Sequence, residues 1–271
     1  MKNYKIKILT SLVAISFNSY VSAEEQKQPA DMSDPMAVFS QFGASAGTNG
    51  LNLKFVKALD TGVDDEMSMF ALEAKNIMGS WTDDSGSSQD NPELADDGID
   101  ELRFRLFSVN TNNGLGSYID ITHNVDDGMG FASYGLMQAL PKVGFWQAYP
   151  ILAGGVQYSD GELNRELVRS GIASDDEVGT GTGINSFYGQ FIVYNKFTIT
   201  DKIWLNYNLT YTHAIFGDDY WVDKLRDGDG LSHEFIASYQ ITPINNVRLY
   251  YSAGHESFED GDWRLEYNHQ F

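Results

Sequence analysis

Two short stretches hold side chains of the kinds that do chemistry. In GHESFEDGDWRLE, His255 and Ser257 stand two residues apart, the spacing of an imidazole base and a hydroxyl nucleophile. Such a dyad works only when the imidazole reaches the hydroxyl and a third polar group orients it. On an extended chain His255 shares a face with Leu249 and Tyr251, whereas Glu256 and Glu266 fall on the other. The orienting acid is missing from that face, so no catalytic residue is assigned. In DKLRDGDG, Asp223, Asp227 and Asp229 could bind a divalent cation weakly, but the spacing and terminal Glu of an EF-hand loop are missing. No dedicated metal site and no cofactor are expected.

The richer chemistry is spread over many runs in which polar and apolar residues alternate. In KIWLNYNLTYTHAI, Ile203, Leu205, Tyr207, Leu209 and Tyr211 hold one parity, while Trp204, Asn206, Asn208, Thr210 and Thr212 hold the other. Period two places the sets on opposite faces of a β-strand. DELRFRLF sets Leu102, Phe104 and Leu106 against Arg103 and Arg105, and NVRLYYSAG sets Val247, Leu249 and Tyr251 against Arg248, Tyr250 and Ser252. About twelve such runs are read, near residues 37–46, 50–59, 66–79, 100–109, 115–124, 129–140, 145–158, 184–197, 202–215, 231–241, 246–256 and 262–271. No helical stripe of useful length and no internal repeat interrupts them.

Acidic residues concentrate between the runs, in WTDDSGSSQDNPELADDGIDE, SDGELNRE and FGDDYWVDKLRDGDG. The formal net charge of −20 argues against nucleic acid, whose phosphates need a basic face. Aromatics make up 13% of the chain and hydrophobic residues 42%, enough to bury substantial surface, so the acidity does not imply disorder. The start has the layout of a secretory leader: MKNYKIK is basic, ILTSLVAISF is uncharged and VSA ends in small residues. Residues 1–23 are assigned to that signal peptide, 24–35 to a short periplasmic segment and 36–271 to one β domain. The sequence has no cysteine, which removes both a disulfide framework and a lipid-anchor site.

A secreted β-sandwich and a closed membrane barrel both alternate, but in a barrel the apolar parity faces lipid and the polar parity lines the lumen. Three features favour the barrel. The connections FTITDK, ITPINN and LPKVG are tight, while those near 80–100, 158–184 and 216–231 are long and acidic. Trp81, Trp146, Tyr158, Phe187, Tyr211, Phe216, Tyr239, Tyr251 and Trp263 fall near strand ends, where a girdle meets lipid headgroups. Finally, WRLEYNHQF alternates up to the last residue, with Trp263, Leu265, Tyr267, His269 and Phe271 on one parity.

That ending resembles the C-terminal signature of bacterial outer-membrane β-barrel proteins, whose last strand closes on an aromatic residue, usually Phe. The resemblance implies an all-β, antiparallel up-and-down transmembrane barrel of about 12 strands, within a range of 10–14. It also implies a place in the bacterial outer membrane, among lipid and lipopolysaccharide. It makes Trp263, Leu265, Tyr267 and Phe271 a signal read by the barrel-assembly machinery.

With the apolar parity on lipid, the other parity names the lumen: Glu73, Lys75, Arg103, Arg105, Asp120, Gln190, Tyr194, Asn206, Asn208, Thr210, Glu234, Arg248, Tyr250, Arg264 and Glu266. Arg103 and Arg105 should lie opposite or diagonal to Asp120 across a tight turn, within reach of cross-strand ion pairs. One wall is then charged, and the other is amide, hydroxyl and aromatic. The function expected is a porin-like channel for passive diffusion of small polar solutes. The alternative is a non-conducting platform whose acidic loops bind divalent cations or a surface. A third reading draws on outer-membrane lipid hydrolases, whose His-x-Ser spacing His255 and Ser257 reproduce.

Overall fold

The structure is a computed structural model that describes residues 29–35, 37–77, 98–125, 128–179, 183–226, 230–254, 258 and 261–271. The leader, Trp81, Asp227, Asp229, His255 and Ser257 lie outside the described residues. The strands are β1 (Gln41–Gly47), β2 (Gly50–Leu59), β3 (Glu66–Ile77), β4 (Ile99–Asn110), β5 (Leu115–Asn124), β6 (Met129–Gln138), β7 (Trp146–Ser159), β8 (Gly183–Thr198), β9 (Ile203–Gly217), β10 (Leu231–Thr242), β11 (Asn245–Gly254) and β12 (Asp262–Gln270). Each pairs antiparallel with its neighbours in sequence, and β1 pairs with β12 to close the barrel.

That closure explains why alternation runs to the end of the chain. The register sets Gln41 opposite Gln270 and Gly47 opposite Arg264, and the Phe271 N–H donates to the Ser40 carbonyl at 3.1 Å. Closure leaves no edge, so every strand finds backbone partners on both sides. Strand β1 starts and β12 ends at the same rim as the connections 60–65, 111–114, 139–145, 199–202 and 243–244. We call this the turn end. At 111–114, Asn110 Oδ1 accepts from the N–H groups of Asn112 and Asn113, and Gly114 takes a positive φ of 69°. An Asx turn followed by a left-handed glycine reverses the chain there. At the opposite rim, the loop end, β1 joins β2, β3 joins β4, β5 joins β6, β7 joins β8, β9 joins β10 and β11 joins β12.

Burial is inverted relative to a soluble protein. Outward-facing Leu102, Leu152 and Leu265 are 47%, 71% and 58% exposed, while inward-facing Asn246 and Asn268 are fully buried. Tyr211, Phe216 and Trp263 form an exposed aromatic belt near the loop end; Trp146, Tyr239, Tyr267 and Phe271 form another near the turn end. An apolar band between two aromatic belts on a closed wall is the exterior of a membrane-spanning barrel.

The long loops are more structured than the alternation shows. Two eight-residue helices, α1 (Glu162–Arg169) and α2 (Asp219–Arg226), stand above β7–β9. Two turns are too few for a periodic stripe and too short for stability alone. Tertiary contacts hold them: Ala173, Val178 and Trp221 form a buried cluster flanked by Leu163, Leu167, Val168 and Tyr220. At its centre, fully buried Asn164 accepts from Trp221 Nε1 at 3.1 Å and donates to the Gly179 carbonyl at 2.5 Å.

Candidate functional site

The residues expected at the lumen all line one cavity of ≈ 770 Å³ inside the barrel. The cavity reaches Ser45, Ser252 and Asp262 toward the loop end and Met32, Ser33 and Asp34 at the turn end.

On β3–β5 the alternate positions place a ladder of ion pairs. Lys75 meets Glu101 at 2.5 Å, Arg105 pairs with Glu73, and Arg103 grips Asp120 with both Nε and a terminal nitrogen. The register sets Glu73 opposite Arg103 and Asp120 opposite Arg105. Both guanidiniums therefore reach diagonally, a distance long side chains span. Of the two arginines expected near Asp120, only Arg103 bonds to it; Arg105 turns to Glu73 on the other side.

Charge continues beyond that ladder, on β2 and β10–β12. Lys54 Nζ donates to Glu266 Oε1 at 2.7 Å across the intervening β1. Gly43 on β1 makes room: a Cβ there would stand 2.6 Å from Asn268 Oδ1 and 2.9 Å from Lys54 Cε. Glu266 also accepts from Tyr250 Oη at 3.0 Å and Asn268 Nδ2 at 2.8 Å. The Arg264 guanidinium lies 3.8 Å above the Tyr250 ring and reaches Glu234 at 3.3 Å, and Glu234 accepts from Asn208 at 2.9 Å. Arg248 stands 5.8 Å from the Trp204 ring. Gln190 accepts from Tyr118 Oη at 3.2 Å and donates to Thr212 at 3.0 Å. Tyr194, Asn206 and Thr210 complete the lining along β8 and β9.

Two features escaped the alternation. Tyr118, Met137, Tyr149, Ile151, Ala153 and Ile192 form an apolar cluster inside the barrel, packed by Phe107 and Tyr194. Its signal was present: in AYPILAGGV both parities are apolar, the pattern of a strand covered on both faces. The second is the segment before β1. Of the segment 24–35 assigned ahead of the barrel, residues 29–35 fold into the turn-end mouth, where Arg248 donates to the Met32 carbonyl at 2.9 Å and Lys196 to Ser33 Oγ at 2.6 Å.

Wall and lumen together define a membrane-spanning β-barrel with a polar interior cavity. The sequence matches no protein-family model and no curated protein. Among solved structures, the NanC porin aligns with a TM-score of 0.48 at 7% identity, over 87% of this chain and 100% of that one. The KdgM porin, solved in complex with disordered oligogalacturonate, aligns at 0.47 and 6% identity, over 86% and 99%. Omp33 of Acinetobacter baumannii aligns at 0.39 and 9% identity, over 88% and 100%.

Proposed function

We propose that this chain is an outer-membrane channel for passive diffusion of small polar solutes. The observation that carries the reading is the cavity of ≈ 770 Å³ lined by charged, amide and hydroxyl groups inside an apolar wall. Polar groups are costly to enclose unless paired or hydrated, and a water-filled lumen meets that need. The lining cations are matched by acids, so the pathway suits solutes carrying no strong net charge. Glu73, Arg103, Arg105, Asp120, Glu234 and Arg264 contact the solute through charge, and Gln190, Asn206, Asn208 and Thr210 through hydrogen bonds. In this reading the protein sits among outer-membrane lipid and lipopolysaccharide, delivered there by the assembly machinery through Trp263, Leu265, Tyr267 and Phe271. His255 and Ser257 carry no role in it.

The test is single-channel conductance of the purified protein in a planar bilayer, with sugars, nucleosides and amino acids added in turn. Discrete steps with solute-dependent block are expected. A correctly folded barrel that gives no steps, and no solute uptake into liposomes, would overturn the channel reading in favour of a surface platform.

A further inference from the structure

At the turn end the cavity is floored by residues that precede β1. Met32, Ser33, Asp34 and Pro35 form its floor. Their contacts cross the mouth from one wall to the other. Tyr149 Oη on β7 donates to Asp34 at 3.5 Å and Lys196 on β8 to Ser33, while Gln240 on β10 and Arg248 on β11 reach Met32. On β12 the Gln270 amide, turned so that both its atoms are satisfied, pairs with the Ala30 backbone at 2.9 and 3.1 Å.

We propose that residues 29–35 are a tethered stopper that seats reversibly in the turn-end mouth and sets whether the lumen is open through to that side. The position of the seat rests on geometry alone; its consequence for permeation rests on the channel reading.

Two properties separate a stopper from a fixed cork. The first is the chemistry of the seat. Met32 is only 3% exposed, yet its sulfur faces amide N–H groups, Gln240 Nε2 at 3.4 Å and Asn246 Nδ2 at 3.6 Å. A thioether is a poor acceptor, so the Asn246 amide is under-satisfied while the segment is seated, as is the second N–H of Gln240, whose first goes to the Thr242 carbonyl at 2.7 Å. Close by, Arg248 Nε, Ser238 Oγ and Asn268 Oδ1 are buried with no hydrogen-bond partner among the described residues. Water would satisfy all of them once the segment leaves, which offsets much of the packing lost. A permanent cork would rest on an apolar socket, and the barrel has one nearby, around Tyr149 and Ile151, that Met32 does not use.

The second property is how the segment is held together. Asp31 Oδ1 accepts from the Ser33 N–H at 2.8 Å, the Asp31 carbonyl from the Asp34 N–H at 3.0 Å, and the Asp34 carbonyl from the Ala37 N–H at 3.1 Å. Its backbone–backbone bonds are internal turns, not rungs of the sheet, and the barrel holds its backbone through side chains, Gln270 at Ala30 and Arg248 at Met32. It can therefore swing out as a unit about residues 37–39, ahead of the Ser40–Phe271 bond, and leave the β1–β12 ladder intact.

The chain has no cysteine, so introduced thiols report without background. Asn246 is fully buried beneath Met32, Ser238 is 3% exposed opposite Arg248, and neither lines the cavity. A bulky membrane-impermeant thiol reagent can therefore reach either position only when the segment leaves. In the full-length reconstituted protein, Asn246→Cys and Ser238→Cys should each be modified at a measurable rate. Each rate should rise at least fivefold on adding Met32→Gly, and the Ser238→Cys rate should fall to background once Met32→Cys has been joined to Asn246→Cys by a short bifunctional thiol reagent, which leaves Ser238→Cys as the reporting thiol. Thiols that stay unreactive in the folded barrel but react fully once it is denatured would overturn the stopper and leave a fixed cork. Conductance separates the two readings. Removing residues 29–35 should raise mean conductance about twofold or more; if neither form conducts while labelling proceeds as expected, the channel reading fails and the movable segment stands.

Discussion

Ion selectivity offers a quantitative test of the lumen, because its fixed charges are countable. Among the described residues lining the cavity, Lys54, Lys75, Arg103, Arg105, Arg248 and Arg264 stand against Asp34, Glu73, Asp120, Glu234, Asp262 and Glu266. The wall is balanced, so the acidic loops should give only a modest cation preference at low salt, fading as the Debye length falls from ~30 Å at 0.01 M to ~3 Å at 1 M. Replacing both Arg103 and Arg105 with Ala strips the partners from Asp120 and Glu73 and leaves two carboxylates in excess. A carboxylate about 4 Å from a passing ion in a water-like dielectric is worth about 1 kcal/mol, which changes local cation density about fivefold. Cation-over-anion permeability should therefore rise by about five- to tenfold at low salt, read as a shift in reversal potential across a KCl gradient. Glu73→Gln with Asp120→Asn should move the potential the opposite way. An unchanged reversal potential in the double-alanine variant, with conductance and heat-modifiable mobility intact, would show that these arginines do not face the water path and would refute the inward assignment of β4.

Three further predictions concern the loops and the closing strand. Asn164→Ala should weaken the α1–α2 cluster by about 1–3 kcal/mol by orphaning Trp221 Nε1 and the Gly179 carbonyl; limited proteolysis within 160–179 should accelerate while the barrel's thermal midpoint holds, and an equal loss in both would show that the loops and wall are one unit. Exposed Glu177 accepts from the backbone N–H and hydroxyl of Ser174, which hold its carboxyl below the ordinary carboxylate range. Because its folded pKa is depressed, its contribution is present above the unfolded value of about 4.3 and is lost as pH falls through the lower, folded one; protection of 174–178 from an acid-active protease should drop in that window, and Glu177→Gln should flatten the profile. Deleting Phe271 should cut the yield of heat-modifiable barrel in the outer membrane well below that of the exposed-loop variant Asp175→Ala, since it removes the bond to Ser40 and the ring 6.4 Å from Phe55. Equal yields would count against a closing signal at the C-terminus.

What the alternation revealed, and what it hid, follows from the range of the forces involved. Strand identity and facing are set by neighbours two residues apart, so twelve strands and the inward set from Glu73 to Glu266 were readable from a single chain. The first strand is shorter at its start than its pattern, Gln41–Gly47 against 37–46; Ala37 and Phe39 line the cavity, and residues 29–35 ahead of them sit in the mouth. Which acid each arginine takes depends on diagonal reach across three strands, and spacing left that open. The short helices owe their existence to Trp221, Asn164 and Val178, far apart in sequence, so no local period announces them. Lys54 was missed because its partner Glu266 lies beyond an intervening strand, and only Gly43 lets the two meet.

The wall is also uneven in height, and a bilayer around it cannot remain flat. β1 has 7 residues and β12 has 9, whereas β7, β8 and β9 have 14, 16 and 15. At about 3.3 Å per residue and a tilt near 40°, β1 spans only about 18 Å, short of the apolar band of about 25 Å usual for such barrels. Lipid next to the β1–β12 seam must thin, while lipid along β8 meets a wall tall enough to rise clear of it. The seam that closes the barrel is thus also the place where it dimples the membrane.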